Sequence, residues 1–251
     1  MKYGRDARRA IDALRGVDAE VFKLIESLES VELVAVPELC VALTRPTITL
    51  LGISCVKGED GQGGVEIGRN GFFDKKIKAK SERLRNSLVG LGKEVRTLIF
   101  VEDLEFRRVW GWSQSQKDLT DECEFQIELA REEGKIPHDV EVKLWSLVEP
   151  EAISAGCRPH EDALAWAIAP PQSLALDTVA RYRQACSRDK GATLAELRKS
   201  SVVGLAEHSL VGEALETLYP EAVFLQTADH RRNHMLQYRR NNPLPIVHPW
   251  K

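Results

Sequence analysis

Short apolar, β-branched runs recur along this chain at Val31 to Val36, Thr47 to Ile53, Val95 to Val101, Val140 to Leu147, Ala222 to Gln226 and Pro245 to Val247. Longer segments of helical period separate most of them: Asp74 to Leu91, Lys117 to Glu133, Ser173 to Ser187, Leu194 to Leu218 and Ala228 to Arg240. Runs of this kind read as buried strands and the intervening segments as helices, and a chain that alternates the two predicts a mainly parallel sheet with helices on both faces. Gly92 and Gly134 stand where two helices must stop before a strand, and Pro220 ends the helix that reaches Tyr219. The interrupted stretch from Pro150 to Pro171 reads as an irregular helical connection.

A chain of 251 residues with no Pro/Ser linker reads as one α/β domain spanning residues 1–251. With 43% hydrophobic and 29% charged residues it is too apolar for a disordered chain. No apolar run approaches the roughly 20 residues that cross a bilayer, and the basic start Met1-Lys2-Tyr3-Gly4-Arg5 has no apolar segment behind it, so the expected location is cytoplasmic with no membrane partner. The five cysteines never fall into a Cys-x-x-Cys pair, which argues against a disulfide framework or a zinc knuckle. A net charge of −3 exerts no global pull on a polyanion, so any nucleic acid has to be held by local patches.

One run ends in chemistry. Thr47-Ile48-Thr49-Leu50-Leu51-Gly52-Ile53-Ser54 stops on a glycine and then presents a serine, which places Ser54 at the carboxyl end of a strand, where open α/β sheets carry their sites. Ser54 there is a nucleophile, a phosphate ligand or the cap of a turn. The following loop, Lys57 to Gly64, has the glycines of a phosphate cradle, but its spacing fits neither G-x-G-x-x-G nor the P-loop, and Glu59 and Asp60 oppose an anion. A loop or hairpin tip over the site is the better reading.

Two basic clusters stand out. Lys75, Lys76, Lys78, Lys80, Arg83 and Arg85 share one predicted helix, and Arg231, Arg232, Arg239 and Arg240 lie near the end of the chain. Such faces are usually solvated surface; two of them near sheet ends also outline a polyanion groove. The helix Lys117 to Glu133 is acidic and is expected to face water. Among acid–base candidates, Ser209 and Glu213 are four residues apart and share a helix face. Glu102 and Asp103 directly follow a predicted strand and either line the crevice or cap the next turn. His230 and His234 have metal-ligand spacing without a third ligand, so no metal is expected, and Gly52-Ile53-Ser54-Cys55-Val56 lacks the second glycine of a hydrolase elbow.

The order of strand, Gly-Ile-Ser, loop with Phe72 and Phe73, helix, strand Leu98-Ile99-Phe100-Val101, acidic Glu102-Asp103, long helix and strand ending near Trp145 resembles the tRNA-dependent cyclodipeptide synthases. The resemblance covers roughly residues 47 to 147, with a looser echo near 205 to 226. It implies a Rossmann-like core and Ser54 as the nucleophile. The family's Tyr-x-x-x-Glu on a late helix is matched by Ser209 to Glu213 with serine in place of tyrosine, so the resemblance assigns catalysis to Ser54 and Glu213. It implies acyl transfer: Ser54 takes an aminoacyl group from one charged tRNA, the amine of a second aminoacyl-tRNA attacks the seryl ester, and cyclisation releases a diketopiperazine. Backbone amides around Gly52 stabilise the oxyanion, Glu102, Asp103 and Ser209 contact substrate, and Lys75, Lys76, Lys80, Arg83, Arg231 and Arg232 hold tRNA. The reaction needs no cofactor, and no protein partner is evident. The family's asparagine shortly after the serine is absent.

Two other classes fit the same residues. One is a nucleotide- or nucleoside-using α/β transferase, with Ser54 and the Gly-rich loop on a phosphate and Glu102-Asp103 on ribose or Mg²⁺. The other is a non-catalytic RNA-binding module in which Ser54 is structural.

Overall fold

A computed structural model describes residues 2–27, 36–55, 57–58, 65–66, 75–104, 108, 116–169, 176–177, 180–181, 192–225 and 246–247. Within them, α1 (Lys2–Arg15), α2 (Ala19–Ser27) and α3 (Val36–Thr44) lead into β1 (Thr47–Cys55). There follow β2 (Lys57–Gly58), β3 (Val65–Glu66), α4 (Lys75–Gly90), β4 (Glu94–Glu102), α5 (Gln116–Glu132) and β5 (Val140–Leu144). The chain then runs through α6 (Trp145–Ser154), α7 (His160–Ile168) and α8 (Leu194–Leu218) to β6 (Val223–Leu225) and β7 (Ile246–Val247).

The main sheet is parallel throughout, in the order β5-β4-β1-β6-β7. This is the expected Rossmann-like α/β class. Alternation along each strand assigns its side chains to two cores. Ile48, Leu50, Ile99, Val101, Val223 and Leu225 pack in one core with residues of α1 to α5, and Leu51, Leu98, Phe100 and Phe224 pack in the other with residues of α6 to α8. Both faces are therefore covered, as a parallel sheet requires.

The order of strands fixes where a site can form. From β1 the chain moves outward to β4 and then β5 by way of helices on one face, and it returns to the far side of β1 as β6 by way of helices on the other. The connections thus leave β1 and β6 in opposite senses, which opens a crevice at their carboxyl ends. Ser54 is the penultimate residue of β1.

Local chemistry explains most of the boundaries. Gly92 (φ +73°) and Gly134 (φ +67°) take left-handed conformations that close α4 and α5. The amides of Lys93 and Lys135 then return to the carbonyls of Leu88 and Ala130 at 3.1 and 2.8 Å. A capping box opens α8: Thr193 Oγ1 accepts from the Glu196 amide (3.2 Å), and the Glu196 carboxylate accepts from the Thr193 amide (2.8 Å). Helix α5 buries Leu119, Cys123, Ile127 and Ala130 and exposes Asp118, Asp121, Glu124, Glu128 and Glu132, so its acidic face does meet water.

Three expectations change. Val36, read as the end of a strand, begins α3, and residues 31–35 lie outside the described residues. The strand from Val140 stops at Leu144, because Asp103 receives the Ser146 amide (2.9 Å) and starts α6 there. The stretch expected to be irregular holds two ordered helices, α6 with Pro150 inside it and α7. The Gly-rich loop is flanked by an antiparallel pair, Lys57 with Glu66 and Gly58 with Val65, which is the hairpin reading. The expected helix Ala228 to Arg240 lies outside the described residues, as does most of Ser173 to Ser187.

Candidate active site at the carboxyl edge of the sheet

At this edge Ser54 is in register with Val101 and Cys55 with Glu102, so the serine and the first acidic residue end neighbouring strands. For Ser54 and Glu102 the description extends to the backbone alone. Gly52 is buried at the centre of the sheet, between Ile99 of β4 and Leu225 of β6.

Asp103 takes the capping role and is not open to substrate. It is fully buried, and its carboxylate accepts the Ser146 amide at the start of α6, where the helix dipole favours an anion. Burial pushes its pKa up from the ordinary carboxylate value even though hydrogen bonds from Ser146 pull it down. A buried acid raised in this way favours folding when protonated, so its contribution is full below the unfolded pKa and is lost as pH rises through the folded one. Asp103→Asn keeps an acceptor and removes the charge; it is expected to flatten this slope and to hold or raise stability at neutral pH. Asp103→Ala loses the cap and should cost about 1 kcal/mol. Urea midpoints between pH 4 and 7 check both, and an Asn variant with the wild-type slope would contradict the assignment.

The pair on α8 is brought together as expected. Arg158 joins them, with Nη2 donating to Ser209 Oγ (2.6 Å) and Nε 2.9 Å from Glu213 Oε2, while its guanidinium lies 4.8 Å from the Trp166 ring centre. Helix α8 turns at Tyr219 to Ala222 directly into β6, so it runs antiparallel to the strands and its last turn is at their amino ends.

A second carboxylate of α8 is Glu207. It is 1% exposed and shares a helix stripe with Val211, Ala214 and Leu218, two of them buried and the third partly buried in the core beneath α8. Three segments converge on it. Arg108, six residues past the end of β4, places Nη1 at 3.0 and 3.1 Å from its two oxygens. The same guanidinium forks onto Glu149 of α6, which follows β5, at 2.8 and 3.0 Å. His160 Nδ1, at the first residue of α7, lies 2.6 Å from Glu207 Oε1. Burial works against the charge of Arg108, but the two carboxylates override it and raise its pKa. Arg108 and Glu149 lie in the connections that follow β4 and β5, and the cluster ties these connections to α7 and α8.

Among the basic residues, Lys75, Lys76 and Lys80 are described as backbone of α4, Arg83 is exposed, and Arg85 is paired with Asp139. Helix α4 leads into β4, so its amino end with Lys75 and Lys76 is directed to the carboxyl edge. Arg231, Arg232, His230 and His234 lie outside the described residues. Cys40, Cys123 and Cys157 are free and buried, and burial raises all three thiols, which leaves them poor nucleophiles. Among the described residues no group of His, Cys, Asp and Glu could hold a metal ion, and no helix is long and apolar enough to cross a membrane.

Fold and site together define a parallel Rossmann-like α/β protein with a serine-bearing strand end at the switch point of the sheet and a buried ionic cluster among the connections and helices on one face. No known family model and no curated protein matches the chain. Similar solved structures include the PvcA protein from Pseudomonas aeruginosa, at 14% identity over 97% of this chain and 83% of that one, with a TM-score of 0.49. A cyclo(L-leucyl-L-phenylalanyl) synthase is 13% identical over 82% of this chain and 91% of its own, with a TM-score of 0.42. A Mycobacterium tuberculosis protein, described as demonstrating that cyclodipeptide synthetases are related to type I tRNA synthetases, is 12% identical over 84% and 87%, with a TM-score of 0.44.

Proposed function

We propose that this chain is a divergent tRNA-dependent cyclodipeptide synthase that joins two aminoacyl groups from charged tRNAs through an ester on Ser54. What supports the reading is the Gly-Ile-Ser end of β1, which falls at the switch point of a parallel sheet. The nucleotide-using alternative loses support from Asp103, which is buried as a cap and has no reach to ribose or Mg²⁺.

The atoms balance as follows. Ser54 Oγ attacks the ester carbonyl of the first aminoacyl-tRNA, the bond to ribose breaks, and the serine proton goes to the ribose oxygen. The amine that acts next is the one on the seryl ester. If the second tRNA's amine attacked instead, the dipeptide would leave Ser54 for that tRNA. Attack on the second aminoacyl-tRNA ester therefore builds a dipeptidyl ester on Ser54 and releases the second tRNA, and the terminal amine then closes the ring and frees the serine. Each amine must be neutral to attack, and α-amino groups titrate at about 7.7–8.0, so a carboxylate that takes the ammonium proton accelerates the step. Glu213, held beside Ser209 by Arg158 on α8, is the carboxylate we assign to that role. Amides around Gly52 act on the oxyanion.

For tRNA, Lys75, Lys76, Lys80 and Arg83 of α4 contact phosphates near the site, with Arg231 and Arg232 as the second patch. Reversing charge at Lys76, Lys80 and Arg83 is expected to weaken tRNA binding about tenfold or more and to flatten its dependence on salt, read by fluorescence anisotropy from 50 to 200 mM. A slope equal to that of the wild type would place the tRNA elsewhere. Expression in bacteria tests the reaction and its substrates together: mass spectrometry of the medium should show a diketopiperazine that an empty vector lacks. A culture with abundant soluble protein and no new cyclic dipeptide would count against the reading.

A further inference from the structure

We propose that this chain forms a two-fold dimer through the helices that cover one face of its sheet, with the basic α1 of each copy lying on the acidic α5 of the other; the inference stands apart from the synthase reading. Among the described residues eight large apolar side chains are exposed, and five of them, Ile11 of α1, Val41 of α3, Val89 of α4 and Phe125 and Leu129 of α5, belong to this one layer of helices. They are between 36 and 59% exposed. Single exposed apolar residues are ordinary, but five on one helical layer point to a surface that a partner covers.

The charges around them say which partner. Ile11 stands one turn from Arg8 and one from Arg15, and Phe125 one turn from Asp121 and one from Glu128, with all four charged residues exposed. Arg5 and Arg9 extend the basic face, and Glu124 and Glu132 the acidic one. The ion pairs that these arginines make within the chain, Arg9 with Glu38 (3.9 Å) and Arg15 with Asp12 (3.7 Å), are long and open to water, so they compensate the positive face little. An apolar centre between cations on one helix matches an apolar centre between anions on the other, and the chain carries both halves. A second copy satisfies each.

The layer permits both contacts at once. Helices α3, α4 and α5 lead into β1, β4 and β5, which are neighbours in the sheet in that order, and α1 packs on α3. A two-fold axis lying along the helices between α3 and α4 sets α1 of each copy over α5 of the other, and α3 over α4. Val41 and Val89 occupy the last turns of α3 and α4, and the strands that follow begin in register, Thr47 with Glu94, so the same axis brings these two exposed valines to a common level.

Sedimentation velocity of the full chain tests this. At about 100 µM protein and about 50 mM salt the wild type should sediment as two chains, and raising salt to about 0.5 M should weaken association about tenfold or more by screening. Arg8→Glu with Arg15→Glu, and separately Asp121→Lys with Glu128→Lys, should each give a monomer that keeps the wild-type melting temperature, since like charges then face each other. An equimolar mixture of the two variants should return to two chains, because each contact again joins opposite charges; a variant that had merely misfolded would not be rescued. A wild type that is monomeric under these conditions overturns the proposal, whether α1 then takes up RNA or α5 a basic peptide. So does dimerisation that survives either reversal, a mixture that stays monomeric, or assembly beyond two chains.

Discussion

Ser54→Ala is expected to abolish the diketopiperazine, by a factor on the order of a thousand or more, while the protein keeps its circular dichroism spectrum and melting temperature. The size of the effect follows from the chemistry. With no hydroxyl there is no covalent stage, and the two esters would have to meet as a single ternary encounter in which neither is held. The structural cost should be small, because alanine retains the backbone of β1, whose pairing with β4 holds that strand end. Product at the wild-type level from the alanine variant would exclude Ser54 as nucleophile whatever the fold.

The second large effect falls on stability. Arg108→Met is expected to destabilise the protein by about 3–5 kcal/mol, because it leaves the carboxylates of Glu149 and Glu207 facing one another without the charge that both share. For a chain of this length that is about a 10 °C fall in melting temperature. The loss should come mainly from uncompensated charge and not from the missing packing. The triple variant Arg108→Met, Glu149→Gln, Glu207→Gln should therefore recover most of it. If the triple variant melts as low as the single one, the cluster contributes through shape alone and the electrostatic account is wrong.

The part of the molecule that local physics governs is the part that was legible in the sequence. The run Thr47 to Ile53 became β1, Val95 to Val101 became the centre of β4, and α8 spans the predicted Leu194 to Leu218, because apolar period, caps and breakers act within a few residues. The end of β5 was not legible. Val140 to Leu147 satisfies a strand by composition, and what stops it at Leu144 is Asp103, some forty residues away, offering its carboxylate to the Ser146 amide. Of the site, the serine's place at a strand end could be read from its run and the glycine before it.

The buried carboxylate could not be read by motif. Matching Tyr-x-x-x-Glu selects Glu213, which Arg158 holds, whereas Glu207 is buried because Arg108, Glu149 and His160 arrive from three separate connections. One signal was present. Glu207 falls on the helical stripe of Val211, Ala214 and Leu218, and an acid on a core-facing stripe has to find partners.

Everything in the reaction scheme passes through an ester on one oxygen. Purified protein mixed with tRNA carrying a radiolabelled amino acid, quenched in acid within the first turnover and digested, should yield a labelled peptide that contains Ser54 and whose mass is increased by one aminoacyl group. A cyclic product made at full rate with no label on that peptide would contradict the account.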